Sequence, residues 1–322
     1  HNRIDGAYLD AATDNAISAS LKVSHAYKLA IGDYDAINRI ESDMRWQDYY
    51  LGIRRSNTYV DNIDVVPFRK DLSYTRPDKN GVDVELSFNT VTKAEARFLR
   101  ALYYFELVRR YGGVPIVGDD VYEFGKNIEL PRNTFEDCIE YIVKELNDNK
   151  EHLRLAPIAQ MSAFGHVPTE GSAMALISRV RLLAASPLFS ASPIIPNNPL
   201  IGYTNNDAEE VKKRWQAAAD AAYDFINKFG HDLGGDGTYD LVKSDFRDIF
   251  LGYTNSEVIF HVQGGQNYDV EKTNGPTGFL ANAQGKAQTS PTQDLVDAFP
   301  MLDGKPRGQS DKYSYSDESM YD

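Results

Sequence analysis

The chain is poor in cysteine and in long apolar runs. Cys138 is the one cysteine among 322 residues, so no disulfide can form within the chain. A helix that spans a bilayer needs about 18 or more consecutive apolar residues, and no stretch of the sequence reaches that length. Cys138 lies within a helical pattern, and we expect it to be a small buried side chain.

Basic residues are also scarce relative to acidic ones. The sequence has 34 Lys and Arg against 47 Asp and Glu, a formal net charge of -13, with no basic block. Binding to nucleic acid needs clustered Lys and Arg that displace phosphate counterions, and docking on anionic lipid needs similar clusters. The composition therefore disfavours both partners. With 42% hydrophobic residues, the chain is long enough to bury the core of one or two domains.

The motifs of common catalytic sites are missing. The six histidines are scattered, and there is no H-E-x-x-H motif, paired-cysteine zinc spacing, G-x-S-x-G elbow or phosphate loop. Adjacent carboxylates such as Asp119 and Asp120 are typical of solvated turns, whereas a glycosidase needs two carboxyl groups about 5 to 10 Å apart across a bond. We expect no enzymatic activity and no cofactor, although folding can still bring distant carboxylates together.

One glycine-rich segment is a weak candidate for a calcium site. Asp232, Asp236 and Asp240 are separated by flexible glycines, and three carboxylates can bind a hard cation. The segment lacks the spacing and the closing glutamate of an EF-hand loop. We therefore expect a surface turn without metal, with calcium as the alternative.

Five segments carry the three- and four-residue apolar spacing of amphipathic helices. They run from about Asp43 to Ile63, from Thr92 to Tyr111, onward from Thr134, onward from Thr169, and from about Val211 to Phe229. Thr134 with Asp137 three residues later predicts a capping-box start. The stripe predicted to face inward on the last helix is Trp215, Ala218, Ala219, Ala222, Ile226 and Phe229, with Gly230 closing the helix.

The second of these helices has an unusual exit and a charged face. Gly112 and Gly113 are predicted to end it, because a glycine can adopt the left-handed conformation and Pro115 cannot continue a helix. Its polar side alternates in sign, which predicts a solvated, salt-bridged face. The residues of that face are Glu95, Arg97, Arg100, Glu106, Arg109 and Arg110.

The helices are interrupted by insertions and followed by loop-rich chain. The insertions are Pro67 to Thr90 and Ala191 to Ala208, and from Gly230 onward Gly, Asn, Asp, Thr and Tyr become frequent. Glu257 to Val262 is the clearest strand-like run in this last part. The fold class predicted is mainly α, with tetratricopeptide-like helical hairpins and a loop-rich, irregular α+β remainder.

Four motifs in a fixed order resemble the signature of one family. They are Trp46 to Asn57 (WQDYYLGIRRSN), Lys93 to Val117 (KAEARFLRALYYFELVRRYGGVPIV), Asn255 to Phe260 (NSEVIF) and Pro291 to Met301 (PTQDLVDAFPM). Together they resemble the SusD/RagB family of glycan-capturing lipoproteins from the outer membrane of Bacteroidetes, over about residues 40 to 310. The resemblance implies a single SusD-like domain over residues 1–322, with a tetratricopeptide-like platform at 40–230 and a ligand-binding, loop-rich region at 231–322.

The resemblance also implies a function. Family members bind an oligosaccharide or polysaccharide at the cell surface without cleaving it and deliver it to a partner TonB-dependent, SusC-like transporter. They are anchored in the outer membrane through an N-terminal lipid on a cysteine. No such cysteine and no secretion signal precede His1, and the sequence stops soon after Ser316, where family members continue, so we expect a chain truncated at both ends. The alternative is a tetratricopeptide-like scaffold that binds a protein, a peptide or another nutrient.

Glycan binding calls for aromatic rings that pack on the C–H face of a sugar, with polar neighbours for its hydroxyl groups. The helix tyrosines Tyr50, Tyr103, Tyr104 and Tyr141 are expected to be structural. In the resembled family the contacts come from the stretch before the first tryptophan-bearing helix and from loops after the S-E-V-I-F segment. Carried over by position, these regions predict as ligand-binding residues Tyr268, Asn267, Gln266, Phe279, Tyr34, Asn38, Arg39 and Tyr27.

Overall fold

The computed structural model describes residues 3–4, 6–19, 24–35, 37, 44–78, 80–123, 125, 128–155, 167–190, 195–230, 237–239, 249, 256–261, 268–278 and 285–311. Eight α-helices lie in these residues: α1 His25–Ala30, α2 Trp46–Asn62, α3 Phe88–Tyr111, α4 Phe135–Asn149, α5 Glu170–Ala185, α6 Ala208–Phe229, α7 Asp269–Asn274 and α8 Gln293–Ala298. The strands are β1 Arg3–Ile4, β2 Ala7–Tyr8, β3 Ala16–Ser18, β4 Tyr74–Pro77, β5 Asp83–Leu86 and β6 Thr289–Pro291. The mainly α class is confirmed.

The chain divides into two compact units. Unit 1 comprises His1–Met44 and Gly264–Asp322, and unit 2 comprises Arg45–Gln263. Unit 2 contains α2 to α6, and each of these helices packs on the next one along the chain. Such sequential packing is the arrangement of helical hairpins. No helix in the described ranges is long and apolar enough to cross a membrane.

The helices of unit 2 begin at capping residues that the sequence signals. Thr134 accepts the amide hydrogen of Asp137 at 3.0 Å while the Asp137 carboxylate accepts that of Thr134, so the predicted capping box of α4 is confirmed. Helix α3 begins four residues before the predicted Thr92, because the Ser87 hydroxyl caps it by accepting from the Thr90 amide. The apolar spacing of α4 places one stripe in the core, since Phe135, Ile139, Ile142, Val143 and Leu146 are all buried.

Two adjacent glycines at the end of α3 are required by close backbone contacts. Gly112 has a φ of 73°, and a Cβ there would lie 2.1 Å from the Leu200 carbonyl oxygen. A Cβ on Gly113 would lie 2.1 Å from the Asn133 carbonyl oxygen. The Gly113 amide donates to the Leu200 carbonyl at 2.6 Å, so the insertion around Leu200 packs against the C-terminal end of α3. The predicted helix end is confirmed.

The polar side of α3 is less solvated than its charge pattern predicts. Arg100 is only 2% exposed, and its guanidinium donates to Glu145 on α4, to Asp119 and to the side-chain oxygen of Asn57 on α2. The prediction of a solvated, salt-bridged face is therefore confirmed in the ion pairs of Arg100 and wrong in its solvation, because Asp119 and Glu145 supply acceptors that permit burial. Glu106 does pair with Arg109 and Arg110 along the helix.

The inward stripe predicted for α6 is also partly wrong. Ala218 and Phe229 are buried, but Trp215 is 43% exposed and Ile226 is 41% exposed. The buried face of this helix packs on α5, and small alanines near the contact make room for that packing. The helix carries a second apolar face toward solvent, and hydropathy alone does not tell the two faces apart.

The strand-like run Glu257 to Val262 is not a strand where the structure describes it. Residues 257–261 have irregular backbone conformation, and Val262 lies outside the described residues. The Ile259 carbonyl accepts from the Ser172 hydroxyl at 3.3 Å, and the Phe260 ring packs edge-on against Phe98 at 5.3 Å. Contacts to α3 and α5 thus replace the strand pairing that the apolar composition predicts.

The insertion before α3 forms a hairpin of β4 and β5, with Thr75 opposite Glu85 and Arg76 opposite Val84. Arg76 is buried and donates to the carboxylate of Glu170 at the start of α5, at 2.5 Å, and to the Leu153 carbonyl at 2.7 Å. This ion pair attaches the hairpin to the helices. This hairpin was not predicted, although Asn80-Gly81 in its turn, with alternating apolar residues beside it, is a sequence signal for a hairpin.

Candidate ligand-binding site

Three of the predicted binding residues lie in the described part of the chain, and all three belong to unit 1. Tyr268 precedes α7 and is 60% exposed, and Tyr34 follows α1 and is 43% exposed. Tyr27 lies on α1 and is half-buried. Gln266, Asn267, Phe279, Asn38 and Arg39 lie outside the described residues. The two predicted regions, one before Trp46 and one after Phe260, thus supply residues to the same unit.

Long-range hydrogen bonds join the two segments of unit 1. Strand β3 pairs antiparallel with β6, with Ile17 opposite Ser290. The Tyr8 amide donates to the Thr289 hydroxyl at 2.8 Å, and the side-chain amide of Asn274 at the end of α7 donates to the Gly6 carbonyl at 3.0 Å. These bonds position α7, and with it Tyr268, against the N-terminal segment. The sequence shows two candidate regions but gives no signal for this pairing.

Tyr268 and Tyr34 are available for contacts. Within the described residues their hydroxyl groups have no hydrogen-bond partner, and neither ring packs on another aromatic ring. An exposed ring with a free hydroxyl offers a sugar both a packing surface and a hydrogen bond.

Tyr50, Tyr104 and Tyr141 are structural, as predicted, whereas Tyr103 is only half-buried. Tyr104 is fully buried and its hydroxyl accepts the Val117 amide hydrogen at 2.9 Å, while the Tyr50 hydroxyl donates to the Pro115 carbonyl at 2.7 Å. Burial raises the pKa of Tyr104 to about 12 and raises the pKa of Tyr141. Cys138 is buried too, as predicted, and burial raises the pKa of its thiol to about 11.

A groove of about 460 Å³ lies between α2 and α3 in unit 2, and the sequence reading did not predict it. One wall, from α2, is formed by Asp48, Gly52, Arg55, Ser56 and Tyr59; the other, from α3, is formed by Thr92, Glu95, Ala96, Leu99 and Tyr103. Its volume falls within the range of small-molecule sites, roughly 300 to 1,000 Å³. The sequence does contain a signal for this groove, because polar and aromatic residues recur at helical spacing on both α2 and α3.

The groove contains both paired and unpaired polar groups. Glu95 forms an ion pair with Arg154, and burial raises the pKa of Glu95 although the Arg154 charge opposes that shift. Asp48 accepts from Arg45 at 2.9 Å. Across the described ranges, the Arg55 guanidinium and the hydroxyls of Tyr59 and Tyr103 have no hydrogen-bond or ion-pair partner. These groups can bind a polar ligand.

No group of three or more His, Cys, Asp or Glu side chains in the described ranges is placed to hold a metal ion. The sequence candidates for calcium, Asp232, Asp236 and Asp240, lie outside the described residues.

The chain belongs to the SusD-like family. Residues 1–182 match the family model, whose description is starch-binding associating with outer membrane. The match covers more than half of the chain and includes two of the four motifs noted above. A SusD-like protein of Formosa agariphila is 22% identical over 110 residues, which is 34% of this chain and 18% of that protein.

Solved structures share the fold along most of the chain. A SusD-like protein of Bacteroides fragilis is 25% identical with a TM-score of 0.63, covering 95% of this chain and 51% of that one. A SusD-like carbohydrate-binding protein of the same organism is 20% identical with a TM-score of 0.62, covering 96% and 48%. A SusD homologue of Bacteroides thetaiotaomicron is 21% identical with a TM-score of 0.57, covering 88% and 49%. The chain therefore spans about half the length of these structures.

Proposed function

We propose that this chain is part of a cell-surface protein that binds an oligosaccharide or polysaccharide without cleaving it. The observation that carries the proposal is the exposed Tyr268 ring, whose hydroxyl has no partner among the described residues, in a chain whose family is described as starch-binding. Tyr34 offers a second exposed ring in the same unit. The proposed site also includes Tyr27, Asn38, Arg39, Gln266, Asn267 and Phe279.

The fold is compatible with this ligand class. One of the solved proteins with the same fold is named a carbohydrate-binding protein. An aromatic ring packed on a sugar, with hydrogen bonds to its hydroxyls, requires no chemical step, so binding and release suffice for the function.

The protein is further proposed to deliver its glycan to a TonB-dependent transporter of the SusC-like kind. The family description, which associates the family with the outer membrane, supports this location. Anchoring at the cell surface through an N-terminal lipid belongs to the same proposal. We expect the helices of unit 2 to supply much of the contact with the transporter. Capture of the transporter by the immobilised full-length protein, from solubilised outer membranes, tests the delivery step.

The glycan proposal is tested by isothermal titration against plant, host and microbial polysaccharides, with starch included. Tyr268→Ala is expected to weaken binding about tenfold or more, because it removes a ring and a hydroxyl from the ligand contact. Tyr223→Ala is a matched control, since Tyr223 on α6 is 59% exposed and lies in unit 2.

If the Tyr268→Ala and Tyr223→Ala variants bind the glycan with equal affinity, Tyr268 does not contribute to the glycan-binding site. An absence of heat with every polysaccharide would contradict glycan binding. Release of shorter saccharides on chromatography would contradict the non-enzymatic proposal.

A protein-interaction scaffold is the second candidate, and one observation favours it. Helix α6 presents Trp215, Tyr223 and Ile226 to solvent on one side. Exposed apolar residues grouped in this way are typical of protein contacts. A scaffold would ignore all soluble polysaccharides and would lose its protein partner on Trp215→Ala. The glycan-binding protein would keep its polysaccharide affinity in that variant.

A further inference from the structure

We propose that the groove between α2 and α3 is a second saccharide site, which takes an oligosaccharide. The ligand class rests on the proposed function, but the site itself lies in unit 2 and uses none of the residues proposed around Tyr268.

The two walls of the groove are built on the same helical spacing. On α2 the lining residues recur at steps of four, seven, eight and eleven from Asp48, which places them on one face of the helix. On α3 they recur at steps of three, four, seven and eleven from Thr92. Two facing stripes of this kind form a straight channel along the helix pair. Such a channel suits an extended chain of sugar rings.

The floor of the groove supplies surfaces on which sugar C–H groups can pack. Tyr59 and Tyr103 contribute aromatic rings at the ends of their stripes, and Ala96 and Leu99 contribute aliphatic groups. Tyr59 is exposed and Tyr103 is half-buried, so both rings keep accessible surface. Aromatic rings pack on the C–H face of a sugar, and polar groups beside them bind its hydroxyl groups.

The polar groups of the groove include both hydrogen-bond acceptors and donors. Asp48 and Glu95 carry negative charge and Arg55 carries positive charge, so acceptors and donors line the same channel. Sugar hydroxyl groups donate and accept, and they can satisfy both kinds of group.

Gly52 shapes the groove by letting Tyr103 lie against α2. A Cβ at position 52 would be 2.6 Å from Cε2 of the Tyr103 ring, closer than side-chain atoms pack. Gly52→Ala therefore moves the Tyr103 ring together with its hydroxyl, and it alters none of the other polar side chains of the groove. This substitution changes the shape of the site, whereas Arg55→Ala with Tyr59→Ala removes its contacts.

The test uses methyl NMR of the protein labelled at alanine and leucine, because Ala96 and Leu99 report from inside the groove. The probes are maltoheptaose, cellohexaose, laminarihexaose and mannohexaose. At least one is expected to shift the Ala96 and Leu99 signals in the wild type and in Tyr268→Ala. The double variant Arg55→Ala/Tyr59→Ala is expected to weaken that binding about tenfold or more. Tyr223→Ala serves as the control, and a thermal melt checks the folding of each variant.

The outcomes separate the two proposals. Shifts that vanish in the double variant and persist in Tyr268→Ala support the groove. Binding that depends on Tyr268 and leaves Ala96 and Leu99 unmoved overturns the groove and keeps the proposed function. If titration of the Ala96 and Leu99 signals gives the same affinity for the wild type and the double variant, the assignment of Arg55 and Tyr59 as ligand contacts is overturned. If none of the four probes shifts the signals of the wild type and no polysaccharide gives heat in the titration, both the groove proposal and the proposed function are overturned.

Discussion

Arg100 on α3 donates from Nη2 to Oε1 of Glu145 on α4 across 2.5 Å, at a point where Arg100 is almost completely buried. The same guanidinium donates to Asn57 on α2 at 2.8 Å. One side chain thus connects three consecutive helices. Burying an ion pair costs desolvation, and this one is compensated by the number of its hydrogen bonds.

Removal of this guanidinium is expected to destabilise the chain strongly. Arg100→Met leaves Glu145 buried without its partner, a change that typically costs about 3–5 kcal/mol. Urea unfolding followed by circular dichroism measures the effect. Lys144→Met is the control, since Lys144 pairs with Asp148 at the exposed surface and its loss is expected to leave the unfolding midpoint unchanged. Equal midpoints for the two variants would contradict the assigned role of Arg100.

The penalty for removing Arg100 is expected to depend on pH. Burial raises the pKa of Glu145 above its ordinary value of 4.5, and Arg100 opposes that shift. When the pKa of a carboxyl group is higher in the folded state than in the unfolded state, the folded protein loses stability as pH rises from the unfolded pKa through the folded one. Without Arg100 the folded pKa rises further, so Arg100→Met is expected to cost less at pH 5 than at pH 8. A penalty independent of pH would show that Glu145 is not the group left unpaired.

Gly112 is expected to tolerate alanine much less than another glycine with positive φ. Gly112→Ala brings a Cβ within 2.1 Å of the Leu200 carbonyl oxygen, whereas Gly118 has a φ of 65° with open space around it. Both substitutions strain the backbone by about 1 kcal/mol, and the steric clash adds roughly 1–3 kcal/mol at Gly112 alone. Thermal melts of the two variants measure the difference. Similar melting temperatures would indicate that the chain around Leu200 moves away freely.

The two faces of α6 are expected to differ in their response to truncation. Phe229→Ala removes a fully buried ring and is expected to cost about 3–5 kcal/mol. Trp215→Ala removes a larger ring that is partly in solvent and is expected to cost well under half as much. Denaturant titration of both variants gives the comparison. A larger loss for Trp215 would restore the inward stripe that the sequence predicts.

Cys138 is expected to be inert in the folded protein. Burial raises the pKa of its thiol to about 11, so at pH 8 the thiolate is on the order of one part in a thousand. A chromogenic disulfide reagent is expected to react with it only after unfolding in guanidinium. The rate with and without denaturant checks this, and fast reaction of the native protein would contradict the buried position.

The helices of unit 2 are predictable because their signals are local. Thr134 and Asp137 are three residues apart, and the capping box they form needs no knowledge of distant chain. The burial of Arg100 depends on Glu145, forty-five residues further on, and no local pattern reveals that partner. Likewise, the apolar residues of α6 show that the helix has apolar surface but not which part of it meets α5.

The candidate site could be predicted only as two regions. Tyr34 and Tyr268 stand out as aromatic residues outside the helical stripes, and family resemblance brings their regions to attention. Their placement in one unit depends on the pairing of β3 with β6, which has no sequence signal at a separation of this size. The groove between α2 and α3 was not predicted, because its two walls belong to different helices and Tyr103 is expected to be structural when α3 is considered alone.

The pairing of Ile17 with Ser290 also has a consequence for the order of folding. Helices α2 to α6 make contacts with their neighbours in the chain, and such local contacts form early. Strand β3 can pair with β6 only after residues 289–291 have been synthesised. The entropy lost in closing so long a loop grows only slowly with its length, so the delay is mainly kinetic. Unit 1 is therefore expected to complete its structure last, after the helical hairpins of unit 2 have formed.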